Sequence, residues 1–505
     1  MSSQPPKSGY GQILKSSSIL GGAQGLSYLI AMARTKAVAV LLGPAGVGVV
    51  SLYQAMTALL GTIAGLGIPS SGVREVAEAW GADDLQRTAI ARLNLRRISW
   101  VTGIVGWLIT VALSYPLSQW TFGSHEHALA VAILGASVLI STVTGVRMAV
   151  IQGMRRIGDI AKIQILSMTI ETLVAIGLYA WLGENGIVPV LLVSAAISYG
   201  VSWYFAAKIP WDKPLLDWKQ TWDGSKHLIG LGVAFVWTAI LAAGVALATR
   251  TIIVRDLGIE ANGIFQSAWG ISGMFAGFIL AAMGTDFYPR LTAVSQDHPK
   301  MNQMVNEQTE IAILLAFPGL IGTLVFAPWL MKIFYTAKFI EGSVLLPWFV
   351  LGVFLKVVSW PMGFILLAKG EIRWFIATES LFNVCQLGLT IYLIKAYGIV
   401  GTGLAFAILY GIHVLAMLAL SRSRSGFTWN RKAFTLLATT GFLVAVTFLL
   451  QKFANDTSKL GFGTMLCLAS ALISMRGIVA RLGTDNRLTS LIAKLPGAGF
   501  LFGTT

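Results

Sequence analysis

Residues 34–48 read RTKAVAVLLGPAGVG, and a related stretch, RTIIVRDLGIEANG, occupies residues 250–263. In each stretch an Arg-Thr pair lies in an apolar run that ends at Leu-Gly, and the two pairs are 216 residues apart. The sequence Gly-Ile-Val at residues 186–188 also recurs at residues 398–400, which is 212 positions later. Because the matches keep their order along the chain, they predict that one half of the protein duplicates the other.

The composition places both stretches in a membrane-embedded chain. The 505 residues are 55% hydrophobic and 12% charged, and their mean hydropathy is +0.73, whereas soluble domains carry about 25% charged residues. These values exclude a soluble enzyme, a disordered scaffold and a secreted disulfide domain. The apolar runs are continuous instead of alternating, which argues against a β-barrel.

The apolar runs predict an all-α integral membrane protein with about fourteen transmembrane helices, since one span needs about 20 apolar residues. The runs fall at 14–42, 46–69, 98–119, 126–149, 161–182, 187–208, 228–255, 262–287, 309–333, 343–367, 374–395, 400–421, 434–452 and 460–479. The charged segment at 70–97 is interpreted as a solvated amphipathic connector.

The repeat divides these helices into six, six and two. Because six is even, both halves have the same orientation, and their pseudo-two-fold axis is predicted to run along the membrane normal, as in parallel-repeat transporters. The predicted domains are a six-helix bundle at 1–210, a cytoplasmic linker at 211–226, a second six-helix bundle at 227–421, and two additional helices with a cytoplasmic tail at 422–505.

The net charge of +15 would suggest nucleic acid as a partner in a soluble protein. Here it reflects the enrichment of Lys and Arg in cytoplasmic loops. With the N-terminus inside, 27 of the 37 Lys and Arg residues fall in cytoplasmic segments and six in the opposite loops. This bias predicts that both termini are cytoplasmic and that the protein binds no nucleic acid. The polar residues 1–14 precede a first helix that is predicted to be uncleaved.

The chain lacks the sequence patterns of an enzyme or a metalloprotein. Cys385 and Cys467 lie in apolar runs, and the five histidines are scattered. A nucleophile–base elbow, a phosphate-binding loop and a metal cluster are all missing from the sequence. We therefore expect neither enzymatic activity nor a cofactor nor a metal site.

A known family shares the pattern around the first repeated stretch. Residues 42–48, LGPAGVG, are followed by Gln54, by AGLG at 64–67 and by GVRE at 72–75. With six, six and two helices, this pattern resembles the Wzx-type polysaccharide-unit flippases of the multidrug/oligosaccharidyl-lipid/polysaccharide exporter superfamily. The resemblance covers nearly the whole chain, and YPRL at 288–291 supports it in the second half.

The resemblance implies a MATE-like fold, with two six-helix bundles around a central cavity, in the bacterial inner (plasma) membrane. The implied activity is the transfer of an undecaprenyl-pyrophosphate-linked oligosaccharide to the periplasmic leaflet, for O-antigen, exopolysaccharide or a similar surface polysaccharide. Membrane lipids and polysaccharide polymerase machinery are further candidate partners. The duplication, together with the absence of an ATP-binding motif, predicts alternating access in which the two halves rock against each other.

Ionisable residues at membrane depth are costly and commonly functional. The clearest cases are Arg34, Lys36, Glu171, Arg250, Lys356 and Glu379. Four of the six are basic, which favours an anionic substrate such as a pyrophosphate. Arg34 and Arg250 are predicted to form its anion site because they lie nine and eight residues before the glycines of their Leu-Gly turns. The alternative is that each arginine reaches the periplasmic headgroups.

Two helices carry polar stripes with helical spacing. One stripe consists of Glu379, Asn383, Gln386 and Thr390, and the other of Gln164, Ser167 and Glu171. They are predicted to line a hydrated path, with Lys356, Asn383 and Gln386 binding substrate; interhelical hydrogen bonding is the alternative. Glu171 and Glu379 are the candidates for coupling to H+ or Na+.

Two other functions compete with the flippase. A cation-coupled multidrug or metabolite antiporter uses the same fold, but it would be expected to have an acidic cavity. A polysaccharide polymerase or ligase would be expected to have a sizeable periplasmic loop, and the sequence contains none.

Overall fold

The computed structural model describes residues 9–209, 214, 216–453 and 456–482, and this part of the chain is helical without strands. Side chains are described for the same residues except 9–21, 223–235, 275–276, 278–279, 281–286, 456–460 and 482. Part of the predicted linker at 211–226 and most of the predicted tail lie outside the described residues.

Sixteen α-helices form the described fold, and two short 3₁₀ turns lie at Gly183–Gly186 and Ala337–Val344. The helices are α1 Gly9–Gly65, α2 Ile68–Gly81, α3 Leu85–Ala112, α4 Ser114–Phe122, α5 Ala128–Gly153, α6 Ile157–Leu182, α7 Ile187–Ala207, α8 Trp218–Leu257, α9 Ile259–Ala293, α10 His298–Val325, α11 Ala327–Phe334, α12 Leu346–Ala368, α13 Ile372–Tyr397, α14 Val400–Ser425, α15 Arg431–Phe453 and α16 Asp456–Leu482.

Ten helical stretches in the described part of the chain are long and apolar enough to cross a membrane. Two of them, Gly22–Gly65 and Ile157–Ala207, have 44 and 51 residues, and each contains a break, at Gly43 and at the 3₁₀ turn respectively. The protein is therefore a multi-pass membrane protein, while the count of fourteen spans stays a prediction.

The connector predicted at 70–97 is largely helical. The α2 helix buries Ile68, Val76 and Ala79. The α3 helix begins at Leu85, well before the predicted start of the span at residue 98. The arginines in the first part of α3 are thus held by a helix that continues into the membrane span.

The two repeated stretches end in the same backbone geometry. Gly43 breaks α1 with φ 66° and ψ −169°, and Gly258 ends α8 with φ 93° and ψ 168°. This region of backbone space is essentially restricted to glycine. The Leu-Gly turns predicted from sequence are therefore real breaks between helices.

Residues 44–48 pack directly against residues 259–263. The Asn262 side chain donates hydrogen bonds to the Gly48 carbonyl at 2.9 Å and to Ser51 Oγ at 3.0 Å. A Cβ on Gly48 would collide with the Ile259 carbonyl, and a Cβ on Gly263 would collide with the Pro44 carbonyl. The glycines of both stretches thus permit close backbone contact.

Matching helix lengths and caps support the duplication. Helices α3 and α10 each have 28 residues and begin 213 positions apart, while α6 and α13 each have 26 residues and begin 215 positions apart. Asp84 (φ −86°, ψ 87°) caps α3 and Asp297 (φ −97°, ψ 86°) caps α10; each side chain accepts a hydrogen bond from the backbone N–H three residues later.

The turns before α6 and α13 also match. Arg155 (φ 56°) and Gly370 (φ 72°) are 215 residues apart, and both are left-handed. The N–H of each donates to the carbonyl three residues earlier, at 2.9 and 3.1 Å. Since an arginine adopts this conformation only under constraint, the turn geometry belongs to the repeat and not to the local residue.

The chain forms two compact units, residues 1–263 and 264–505. Helix α8 packs against α1 to α4 and so belongs to the first unit, although the sequence repeat starts the second half near residue 227. The division into bundles at 1–210 and 227–421 stays a prediction.

Each unit has its own core. In the first unit α5 packs against α2, α3 and α7, and α1 packs against α6. In the second unit α12 packs against α10 and α14, while α15 and α16 lie on α10. Arg481 Nε on α16 lies 2.5 Å from Glu310 Oε2 on α10, and the Glu310 side chain is 7% exposed.

Candidate functional site

Arg34 and Glu171 form an ion pair in the first unit. Arg34 Nη1 on α1 lies 3.4 Å from Glu171 Oε2 on α6, and the two side chains are 21% and 14% exposed. Both residues lie within candidate membrane spans. Opposite charges stabilise each other at such depth, where either charge alone would be costly.

Ser198 on α7 adds a third helix to this cluster. Its Oγ donates to Glu171 Oε1 at 2.6 Å, so each oxygen of the carboxylate has a donor. Seven residues before Glu171, Gln164 Nε2 donates to Gln24 Oε1 on α1 at 3.2 Å. The polar stripe of α6 therefore contacts α1 and α7 through hydrogen bonds, as its alternative interpretation expects.

Arg250 has the depth along its helix that the sequence predicts. Because Gly43 and Gly258 end their helices, Arg34 and Arg250 lie nine and eight residues from a turn, or about 12–13 Å at about 1.5 Å per residue. Arg250 Nη1 donates to the Ala246 carbonyl at 2.9 Å.

Lys36 does not share the face of Arg34. Two residues along a helix correspond to a rotation of about 200°, so the two cations lie on different sides of α1. Lys36 is thus at a depth similar to that of Arg34 but on another side of α1.

The second unit contains another charged cluster at membrane depth. Lys356 Nζ on α12 lies 5.7 Å from the centre of the Tyr410 ring on α14. Glu379 on α13 and His413 on α14 are within electrostatic range of Lys356. The His413 ring also contacts Phe382 edge-on, with a centroid separation of 4.4 Å. Lys356 and Glu379, two of the ionisable residues that the sequence places at membrane depth, are therefore neighbours in the second unit.

The polar stripe of α13 lies on a partly buried face. Glu379, Asn383 and Gln386 are half-buried and Thr390 is buried, whereas the neighbouring Leu381 is 60% exposed. Asn383 Nδ2 donates to the Glu379 carbonyl at 2.8 Å, and Gln386 Nε2 donates to Thr390 Oγ1 at 3.2 Å. Both amide groups thus have donor contacts within their own helix.

The polar stripes of α6 and α13 carry a glutamate and a glutamine at swapped positions. With the 215-residue offset between α6 and α13, Gln164 corresponds to Glu379 and Glu171 corresponds to Gln386. Each repeat therefore carries one glutamate and one glutamine on this face, but at exchanged depths. The glutamate of this face is therefore displaced by seven residues between the two repeats, which is roughly 10 Å along the helix axis.

Several residues of these clusters were missed by the sequence reasoning. Ser198 lies on α7, and Tyr410 and His413 lie on α14, in or near the matching Tyr-Gly pairs at 199–200 and 410–411. Serine and histidine commonly form hydrogen bonds between membrane helices, and tyrosine is common at membrane interfaces, so residue type alone did not distinguish these three. Their correspondence with the last helix of each six-helix unit was the one available signal.

The described fold is that of a class of membrane proteins that includes MATE transporters and flippases of lipid-linked substrates. The chain aligns with the structure of the lipid II flippase MurJ in an inward closed conformation, with a TM-score of 0.68, 14% identity, and coverage of 92% of this chain and 99% of that one. It also aligns with an inward-facing MATE family multidrug transporter of the MOP superfamily, with a TM-score of 0.65, 17% identity, and coverage of 79% and 94%. The predicted MATE-like fold is confirmed.

Residues 37–344 match the model of the family described as "Polysaccharide biosynthesis protein", and the chain belongs to that family. It is 24% identical over 395 residues to the lipid III flippase of Escherichia coli (strain K12), an alignment that covers 75% of this chain and 90% of the relative. The lipid III flippase of Shigella flexneri gives the same values. The resemblance inferred from the first repeated stretch is confirmed.

Proposed function

We propose that this protein is a flippase, and not an enzyme, that moves undecaprenyl-pyrophosphate-linked oligosaccharide repeat units across the bacterial inner membrane. Its family and its similarity to lipid III flippases support a lipid-linked substrate. The predicted excess of basic over acidic groups at membrane depth supports a pyrophosphate. The product would feed the biosynthesis of O-antigen, exopolysaccharide or a similar surface polysaccharide, by way of polymerase machinery.

The Arg34–Glu171 pair is the observation that carries the proposed mechanism. A planar guanidinium binds carboxylate and phosphate oxygens with the same fork of donors. The Glu171 carboxylate therefore binds the Arg34 guanidinium as a phosphate would, and the pyrophosphate of the substrate replaces the carboxylate there. Protonation of Glu171 removes the competing charge, which links an H+ to each exchange. Na+ at the carboxylate would act in the same direction.

The remaining groups extend this scheme. Arg250, Lys36 and Lys356 supply positive charge along the path, while Asn383 and Gln386 contact the oligosaccharide. Glu379, within electrostatic range of Lys356, is the coupling acid of the second half. Alternating access exposes the path to one leaflet at a time, and both termini lie in the cytoplasm.

Complementation of a flippase-null strain tests this function. We expect the protein to restore surface polysaccharide and to lower the amount of lipid-linked oligosaccharide held in the cytoplasmic leaflet. Expression without either change would contradict the proposal.

A cation-coupled antiporter for drugs or metabolites is the second candidate, because MATE transporters share the fold. Cells that express the protein would then resist organic cations and would accumulate lipid-linked oligosaccharide as before. The pairing of Glu171 with Arg34 disfavours this function, since the carboxylate is already neutralised by a basic group.

A further inference from the structure

A cavity of about 360 Å³ lies between α3, α5 and α7 in the first unit. It is separate from the Arg34–Glu171 cluster and is formed by the first part of α3 and the last parts of α5 and α7. The lining residues used below include Arg92, Arg96, Trp100, Arg147, Trp203 and Ala207.

Three arginines line this cavity, and none of the lining residues that the structure describes is acidic. Arg92 is within electrostatic range of both Arg96 and Arg147. Like charges at short range repel, and more strongly where water is partly excluded. An anion among the three guanidinium groups would remove this repulsion.

Arg147 is held in position by α7. Its Nη1 donates to the Tyr199 carbonyl at 3.0 Å and to Ser202 Oγ at 3.2 Å. The guanidinium also lies 4.3 Å from the centre of the Tyr199 ring. The group is thus pre-oriented, which lowers the entropy lost on binding a ligand.

The mouth of the cavity has the character of a membrane interface. Trp100 and Trp203 line it and are 40% and 56% exposed, and Arg96 is exposed beside them. Tryptophan concentrates at the headgroup level of bilayers. Buried Val146 and Val150 form the inner wall, so the cavity is polar near its arginines and apolar behind them.

The fold itself does not require the cavity. At the offset of 213 between α3 and α10, Arg92 corresponds to Val305; at the offset of 215, Arg147 corresponds to Met362. Val305 and Met362 are fully buried and belong to one apolar cluster. The second half therefore fills the equivalent place with side chains, whereas the first half leaves space and three positive charges there.

We propose that this cavity binds the phosphate headgroup of an anionic phospholipid from the cytoplasmic leaflet. Basic pockets between helices on the cytoplasmic side of membrane proteins recognise such headgroups. The bias of Lys and Arg toward one side assigns these helix ends to the cytoplasm. This proposal and the proposed function both rest on that orientation. The other source of the same lipid phosphate chemistry is the pyrophosphate of the transported lipid.

Native mass spectrometry of the purified full-length protein tests the proposal with four probes: phosphatidylglycerol, phosphatidylcholine, undecaprenyl pyrophosphate and inorganic phosphate. We expect phosphatidylglycerol to bind more tightly than phosphatidylcholine. The Arg92→Gln/Arg96→Gln variant should weaken phosphatidylglycerol binding by about 25-fold, or about fivefold for each arginine. Ala207→Trp, which narrows the mouth and keeps every arginine, should weaken it as well. Arg74→Gln, on the exposed face of α2, is the matched control.

Unchanged phosphatidylglycerol binding in both cavity variants would overturn the proposal. A loss of binding confined to undecaprenyl pyrophosphate in these variants would also overturn it, because the cavity would then belong to the transported lipid. Displacement of phosphatidylglycerol by inorganic phosphate at equal concentration would overturn it as well. Because binding is measured without transport, failed complementation would reject the flippase function and leave this result intact.

Discussion

Arg34 on α1 donates to Glu171 on α6 at 3.4 Å, while Ser198 on α7 donates to the other oxygen of the same carboxylate at 2.6 Å. The proposed anion-binding residue and the proposed coupling acid are therefore one unit. A substrate phosphate reaches Arg34 only by exchange with Glu171, so the phosphate and the ionised carboxylate compete for a single guanidinium group, and protonation of the acid favours the phosphate.

Replacing Arg34 tests its role as a bidentate phosphate ligand. Arg34→Ala should lower export by about 10- to 100-fold, since a hydrogen bond to a charged group contributes about 1.5–3 kcal/mol. Arg34→Lys should recover only part of the loss, because lysine lacks the planar fork. Arg74→Gln, which breaks an exposed pair with Glu78, is the control and should export normally. Wild-type export by an Arg34→Ala/Arg250→Ala double variant at normal expression would reject the site.

Replacing the acids tests the coupling. Glu171→Gln keeps an acceptor for Ser198 but removes the charge that competes for Arg34. Export should then lose its dependence on the proton or sodium gradient, measured in vesicles with and without an imposed gradient. Glu379→Gln is the counterpart in the second half. If both single variants and the double variant respond to the gradient as the wild type does, these acids have structural roles alone.

The close contact at Gly263 is expected to tolerate no side chain. Gly263→Ala places a Cβ against the Pro44 carbonyl and should lower the free energy of unfolding by about 1–3 kcal/mol through overpacking. The control is Gly200→Ala in α7, where a Cβ meets nothing within 4 Å. That change should be neutral or stabilising by up to about 1 kcal/mol. Thermal unfolding in detergent measures both, and equal midpoints would contradict the proposed contact.

The ion pair between α16 and α10 should contribute to stability. Arg481→Ala leaves the nearly buried Glu310 carboxylate without this partner, and we expect a loss of about 3 kcal/mol because an uncompensated buried charge remains. Arg74→Ala breaks an exposed pair and should cost less than about 1 kcal/mol. Similar unfolding midpoints for the two variants would show that Glu310 does not depend on Arg481.

His127 should make stability depend on pH. Burial lowers the pKa of His127 below its ordinary value, and Glu126 only partly opposes this effect. Its Nδ1 lies 2.8 Å from Tyr53 Oη. Because the unfolded chain binds the proton more readily, stability should fall as pH drops through about 6.5. Unfolding midpoints between pH 8 and pH 5 should decline less in His127→Gln than in the wild type; an identical decline would contradict the assignment.

Local features of the sequence predicted much of the fold. Long apolar runs predicted helices of membrane-spanning length, and the repeated Leu-Gly pairs predicted breaks that the structure places at Gly43 and Gly258. The depth of Arg34 and Arg250 along their helices followed by counting residues. These properties depend on neighbours along the chain, since a helix advances by a constant rise per residue.

Only the tertiary structure decided which side chains meet. Pairing Arg34 with Glu171 and Ser198 requires the rotation of three helices about their axes, which depends on packing between residues far apart in sequence. The sequence predicted that Arg92 and Arg96 belong to a solvated connector. In the structure, α3 begins at Leu85, and both arginines line a cavity together with Arg147. Sequence thus determined the helices, their breaks and the depth of their charges, whereas partners and cavities arose from contacts between helices, which no local pattern encodes.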